Sequence, residues 1–474
     1  MPAGAKRASL NGIGYAAQIW RQFARRRPLP GQCATLMLPN ARQTFVAIAE
    51  TPAEADAFVR LALAGRMLKS AAGAELGRVA LLAVGPVADR DKTLEALTSA
   101  VLAHTFRLPT QRAAPRTRSA VARPSVQIYG AAKLDLPRIR AVAAAGNLTR
   151  WLTSLSANIL TATAFKTLLA RLARRHGLGF RWFGEAALRR AGAGAFLAVA
   201  AGNARRDAGI AHLSWRPRGT RRSARPAMAL VGKGILFDTG GNNLKPHRSM
   251  LDMHTDMSGS AVALSSLIAL AELRSPLLAD AWLAITENRI GPTAYRPQDI
   301  VTAANGTTIQ VIHTDAEGRM ALADTLVLAG RTRPRLIMDF ATLTGSCVVA
   351  LTERMSGVFT NREAILRGPL ERAGRASGER IVNFPMDPDF DADLESAAAD
   401  IMQCTLDSKG DHILAARFLS RFVPADCPWI HMDLASAVRA GGLGHVLTDV
   451  TGFGPRFVLE LLLGQDALAL LHRP

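Results

Sequence analysis

Asp315, Glu317 and Arg319 alternate within VIHTDAEGRMALADTL, residues 311–326. In extended backbone, alternate residues share a face, so all three would point one way. Two neighbouring carboxylates repel each other and are costly to gather unless a cation neutralises them. Hard or borderline divalent metals do this through oxygen ligands. Ala316, Gly318 and Ala321 are small and leave room for something to approach. The spacing predicts a metal-binding strand end or loop, followed by a helix from about Met320.

A second stretch, residues 227–262, reads AMALVGKGILFDTGGNNLKPHRSMLDMHTDMSGSAV. Two apolar runs flank Gly232, Lys233 and Gly234, and Asp238 closes the second run. Gly240 and Gly241 break the strand, and Lys245 and Asp256 follow before a helical run. An acid just ahead of a helix is favoured by the helix dipole. Lysines and acids seldom enter such apolar company unpaired.

VGKGILFDTGG, the LKP and DMSGSA segments, HTDAEGR, and DFATLTG at 339–345 together resemble the leucyl aminopeptidase (cytosol aminopeptidase) family of di-metal exopeptidases. The composite is specific, whereas a lone DxE would mean little. The resemblance runs from about residue 146 to the C-terminus and is weak before it. It implies that Lys233, Asp238, Asp256, Asp315 and Glu317 hold two divalent ions, Mn²⁺ or Zn²⁺. It implies that Lys245 and Arg319 act on the substrate, with a bicarbonate ion on Arg319 as general base. Lys233 as a ligand must be neutral, its pKa depressed by the adjacent cation. Met253, Thr342, Gly345 and Val450 fall where the family lines the pocket for the N-terminal side chain. An apolar pocket of this kind suits leucine or methionine. The implied enzyme is a metalloaminopeptidase, a hydrolase that trims short peptides with a free N-terminus. A homohexamer in the cytoplasm is implied with it.

This sequence departs from the family at His313, where asparagine is usual, and at Met320, where leucine is usual. A lone histidine beside a strand reads first as a packed ring, and secondly as an extra ligand or proton carrier. Ser258 and Ser260 read as helix caps and as partners of the nearby Asp256.

The elements that must position these residues alternate as in an α/β fold. A small N-terminal α/β domain is expected over 1–133, a linker helix over 134–156 and a catalytic α/β/α domain with a mixed central sheet over 157–474. In the first, 33–49 predicts a strand pair, 52–72 and 90–106 helices, and 78–86 and SVQIYG strands. In the last, NILTATAFKTLLARLARRHG predicts an amphipathic helix. Strands are expected at 195–200, 227–232, 281–286, 335–340 and 429–433.

Composition fits a chain of 474 residues with large cores, since 49% of it is hydrophobic. Cys33, Cys347, Cys404 and Cys427 form no CxxC pattern, which suits a reducing compartment. No apolar run approaches the roughly 20 residues that span a bilayer. The formal net charge of +20 is the anomaly. Arginines cluster at 21–27, 107–123 and 204–225, and such patches can meet phosphate. The alternative reading is therefore a DNA-binding regulatory or architectural protein on a peptidase fold. Against it, the arginines are not interleaved with aromatics and form no recognised DNA-binding motif. The acid-free N-terminus reads as a helix packing Ile19, Trp20 and Phe23, as a solvated basic arm, or as an organellar transit segment.

Overall fold

A computed structural model describes residues 1–26, 31–71, 77–112, 124–221, 224–465 and 467–471. Most of the Arg/Pro-rich stretch at 107–123, with Arg27 and residues 222–223, lies outside them. The chain divides into two compact units. One comprises Met1–Ala143, Arg375–Glu379 and Arg439–Thr451, and the other comprises the remainder.

The first unit is small and α/β. Cys33–Met37 and Phe45–Ala49 form an antiparallel hairpin in which Cys33 faces Ala49. Arg78–Leu82 and Ser125–Tyr129 pair in parallel. Helices span Ala16–Arg26, Ala57–Ser70 and Val87–His104. Asp56 caps the second of them by accepting from the Val59 amide at 2.8 Å, satisfying one of the orphan donors at its start. The basic N-terminal segment is indeed a helix, and its Ile19 and Phe23 pack with Leu10, Ala34 and Ile48. The first unit runs ten residues past the expected bound at 133, and a helix, Leu136–Thr153, spans the division of the chain after Ala143.

The second unit is built on an eight-stranded mixed sheet. Its order is Ile381–Asn383, Ser356–Thr360, Trp429–Asp433, Ile337–Ala341, Met228–Asp238, Ala279–Asn288, Gly209–Trp215, Gly179–Gly184. The four central strands are parallel, with Ile337 beside both Trp429 and Ala229, and Met228 beside Ala279. Antiparallel strands close both sides. Buried parallel strands read as continuous apolar runs, as AMALV and ILF do here.

Two helices sandwich the centre of this sheet. Ser258–Glu272 is buried at every position but its last, and Glu317–Gly330 is buried throughout. Helices apolar all round belong inside a core. Adjacent residues of the Met228–Asp238 strand show which helix covers which face. A Cβ on Gly232 would meet Gly259 and Ser260, while the Lys233 chain reaches Gly318.

Segment 195–200 departs from expectation. It lies in a short helix, Gly194–Ala200, not a strand. Its apolar run carries no period that distinguishes the two. What decides is Asp324, whose carboxylate accepts from the Phe196 amide at 2.8 Å and the Ala304 amide at 2.7 Å. A buried acid aimed at a helix start satisfies donors that a strand would not present. Burial pushes the Asp324 pKa up to about 7, against those amide bonds.

Candidate metal centre and active site

The site forms at the carboxyl ends of the central parallel strands, where open α/β sheets place ligands. Asp238 ends one strand and Asn288 the next. The pairing register slips between Ile235 and Asp238, so that Ile235 faces Thr286 but Asp238 faces Asn288. Lys233 and Asp238 have opposite parity and would sit on opposite faces of a regular strand. The extra residue reverses that parity and turns both toward the same side. Asp238 is then fixed, its Oδ1 accepting from the Gly240 amide and the Asn288 side chain, each at 2.8 Å. Gly240 and Gly241, at φ +87° and +64°, make the turn that an L side chain rarely adopts.

Residues 311–326 fold differently from the extended reading. The helix begins at Glu317, three residues before the expected Met320, and Thr314–Asp315 is a turn. Asp315 and Glu317 converge because a turn meets a helix start, where an acid is favoured. The loop is pinned by Gln403, whose Oε1 accepts from the Ile312 and His313 amides at 3.1 Å. His313 is exposed, and its Nδ1 accepts from the Asp315 amide at 3.3 Å. Partial burial of the ring, then Lys245, holds the His313 pKa below its ordinary value, which suits an acceptor nitrogen. His313 thus closes the turn.

Asp238, Asp256, Asp315 and Glu317 meet two lysines in the resulting cavity, about 400 Å³, which Glu353 and Asp433 also line. Lys233 Nζ lies 2.8 Å from Asp256 Oδ1, 3.0 Å from Glu317 Oε1 and 2.9 Å from the Thr342 carbonyl. Lys245 Nζ lies 2.9 Å from Asp238 Oδ2 and 2.6 Å from Asp315 Oδ1. Among the described residues, Asp238, Asp315 and Glu317 bring carboxylate oxygens within 4.8 Å of one another.

These residues fit divalent cations. Four carboxylates face two ammonium groups, so negative charge is left over in a buried place. Asp256 Oδ2 and Glu317 Oε2 are buried without a hydrogen-bond partner. Burial, with each acid's acidic neighbours, raises the pKa of Asp256, Asp315 and Glu317, against the pull of the lysines. Such a group calls for more positive charge, and oxygen donors suit hard or borderline ions. The acids around Lys233 act on it in the sense opposite to a metal. Burial opposes its charge, but Asp256, Glu317 and Asp238 together raise its pKa above the ordinary lysine value. Only a cation at these acids would reverse that balance.

The model of the cytosol aminopeptidase family, catalytic domain, matches residues 147–459. The chain belongs to the cytosol aminopeptidase family. A probable cytosol aminopeptidase of Syntrophotalea carbinolica is 42% identical over 316 residues. That match takes in 66% of this chain and 62% of the relative, so it spans less than two thirds of the relative's length. Among solved structures, the bottromycin maturation enzyme BotP in complex with Mn is 31% identical. It covers 98% of both chains at a TM-score of 0.83. A tomato leucine aminopeptidase mutant is 26% identical, with 96% of this chain and 88% of that one covered at a TM-score of 0.82.

The remaining residues expected in a family site fall unevenly. Met253, Thr342 and Gly345 line the cavity, beside Val348, Leu434 and Ala437. Thr342 Oγ1 also donates to Asp256 Oδ1 at 2.7 Å. Val450 belongs to the first unit and is not among the lining residues. Arg319 is buried, and it too is absent from the lining. Its Nη2 meets both Asp411 oxygens, at 2.8 and 2.7 Å, and its Nη1 donates to the Gln403 carbonyl at 3.2 Å. Ser258 and Ser260 do not cap as expected. They donate back to the carbonyls of Thr255 and Met257, at 2.6 and 2.8 Å. The helix starts after Met257, so their amides are already inside it.

Several working residues were missed. Asn288 orients Asp238, and Gln403 holds the acid loop. Asp433 fixes the 342–345 segment by accepting from the Leu343 amide at 3.1 Å and Thr344 Oγ1 at 2.6 Å. A signal existed for Asn288 and Asp433, since each is a polar residue ending an apolar strand run. A larger groove, about 710 Å³, is lined by Arg175, Arg216, Arg218 and Arg274. It gathers exposed arginines but no cluster of acids, so the chemistry belongs to the smaller cavity.

Proposed function

We propose that this protein is a metal-dependent aminopeptidase that releases N-terminal residues, leucine or other apolar ones by preference, from short peptides. The observation that carries this is the cavity in which Lys233, Asp238, Asp256, Asp315 and Glu317 meet with unsatisfied carboxylate oxygens, beside Lys245. Those five residues would hold two divalent ions. Mn²⁺ is favoured by the Mn complex of the similar BotP structure, and Zn²⁺ is the other candidate. When bound, such ions lower the pKa of a water to near neutrality and polarise the scissile carbonyl.

The chain's own residues do the rest. Lys245 presents a charged ammonium to the cavity, its pKa held above the ordinary lysine value despite burial by Asp238, Glu317 and Asp315. A fixed cation placed where oxyanion charge develops stabilises the transition state more than the ground state. Thr342 ties the substrate-side loop to Asp256. Met253, Val348 and Leu434 give the cavity an apolar wall that excludes water and accepts an aliphatic side chain.

The test is hydrolysis of leucine p-nitroanilide by metal-stripped protein, with and without Mn²⁺ or Zn²⁺. Activity restored by a metal and absent without it is the expected outcome. A folded protein inert with every divalent ion would overturn the reading. Specificity has its own check. Met253→Ala should lower kcat/KM for leucine and methionine substrates about tenfold relative to alanine, the scale of lost apolar contact in a pocket. An equal fall for all three would remove Met253 from the pocket. A homohexamer is proposed from the family resemblance, and the mass of the species in solution decides it.

A further inference from the structure

The sequence resemblance brings with it a free bicarbonate ion on Arg319, and the surroundings of that arginine do not fit one. A carboxylate-like anion is recognised by guanidinium N–H groups that are free to meet two oxygens. On Arg319 the nitrogen common to both bidentate edges, Nη2, is taken. Both Asp411 oxygens sit on Nη2, at 2.8 and 2.7 Å. Nη1 donates to the Gln403 carbonyl. Nε has no partner but is buried. Arg319 itself is only 2% exposed. Asp411 is the acid that faces it in this buried place, 2.7 Å away. A second anion bound through two nitrogens would share Nη2 with Asp411 and lie against its carboxylate, and like charges in a buried place repel strongly.

We propose that Asp411 is a built-in anion for Arg319, so that this protein works without free bicarbonate. The proposal rests on the aminopeptidase reading for its kinetic consequence but not for its binding consequence. Asp411 opens the helix Asp411–Ser420, where the helix start favours a negative charge. It therefore arrives already fixed, with no ion to recruit from solution. Its influence passes to the site along the chain of contacts. Asp411 holds Arg319, and Arg319 holds the Gln403 carbonyl. The Gln403 side chain holds the loop carrying Asp315, through the Ile312 and His313 amides and by donating to the Ala316 carbonyl at 3.0 Å. Asp411 is thus a positioning residue. Arg319 is also two positions along one helix from Glu317. Charge on this arginine is needed in a buried setting, and a covalently tethered partner supplies its counter-charge at every moment.

The experiment compares wild-type protein and Asp411→Ala, both metal-loaded, in carbon-dioxide-depleted buffer and with bicarbonate raised stepwise to about 20 mM, enough to fill most of a millimolar site. Wild-type kcat should stay within twofold throughout. Asp411→Ala should fall at least tenfold without bicarbonate and recover most of that loss with it. Calorimetric titration of bicarbonate needs no turnover and should show binding at least tenfold tighter to Asp411→Ala than to wild type. Saturable stimulation of the wild type, or equal affinity in the two proteins, would overturn the proposal. If the variant does not fold, the wild-type response alone decides. If neither protein cleaves any peptide but the calorimetric difference appears, the anion assignment stands and the aminopeptidase reading falls.

Discussion

Lys245→Ala is expected to lower kcat for a leucine peptide by about 10²–10³-fold, the range for losing one preorganised charge at an oxyanion. KM should change little, because a contact made mainly in the transition state does not tighten the ground state. The argument starts from where Lys245 sits. It follows the Gly240–Gly241 turn and its amide donates to the Thr239 carbonyl at 2.9 Å, so its backbone is fixed. Its ammonium bridges Asp238 and Asp315 at the mouth of the acid cluster. Removing it takes positive charge from two acids that would hold metal. Metal affinity should therefore stay the same or rise, while turnover falls. That pairing of results separates Lys245 from the ligands, whose loss should reduce metal content and turnover together. Metal analysis by mass spectrometry beside steady-state kinetics makes the check. A kcat within tenfold of the wild type would exclude an oxyanion role for Lys245.

The acid cluster was legible because its chemistry is local in sequence. Asp315 and Glu317 lie two apart, and Lys233 and Asp238 share one strand. Charges placed beside glycines in apolar runs mark themselves. The geometry that joins them was not legible. Nothing in GKGILFD announces that the register slips after Ile235, yet that slip brings Asp238 to the face of Lys233. The alternation of Asp315, Glu317 and Arg319 suggested a strand, but a helix start at Glu317 produces the convergence and sends Arg319 elsewhere. Arg319 was expected at the substrate from the family resemblance, and its partner here, Asp411, lies 92 residues away with no local pattern to link them. The central parallel strands were found from their apolar runs. Gly209–Trp215 and Gly179–Gly184 were not, since their polar and aromatic alternation is broken by arginine and histidine. The same long-range logic explains 195–200, where Asp324, more than a hundred residues on, settles helix over strand.

Gly318→Ala is the smallest change expected to disable the site. Helix propensity argues for it, since alanine is favoured over glycine inside a helix by about 1 kcal/mol. The fold should therefore survive, and the midpoint of thermal unfolding should move little. The cost falls on Lys233. A Cβ at position 318 would lie 2.6 Å from Lys233 Cε and 2.7 Å from Nζ. No carbon tolerates that approach, so the lysine chain must move aside. It is a flexible chain, which keeps the energetic penalty modest, but its Nζ is held at once by Asp256, Glu317 and the Thr342 carbonyl. Any shift that clears the new methyl breaks that set and removes Lys233 from the place where it would meet a metal. Displacing a group that supports a metal site typically costs about 10–100-fold in affinity or activity. The expected result is a stable protein whose Mn²⁺ affinity falls by that factor. Saturating metal should recover part of its turnover. Gly318→Val, with a larger side chain in the same place, should lose more of both. A Gly318→Ala protein that binds metal as tightly as the wild type would mean that Lys233 is not a ligand. The glycine would then serve only the packing of helix against strand.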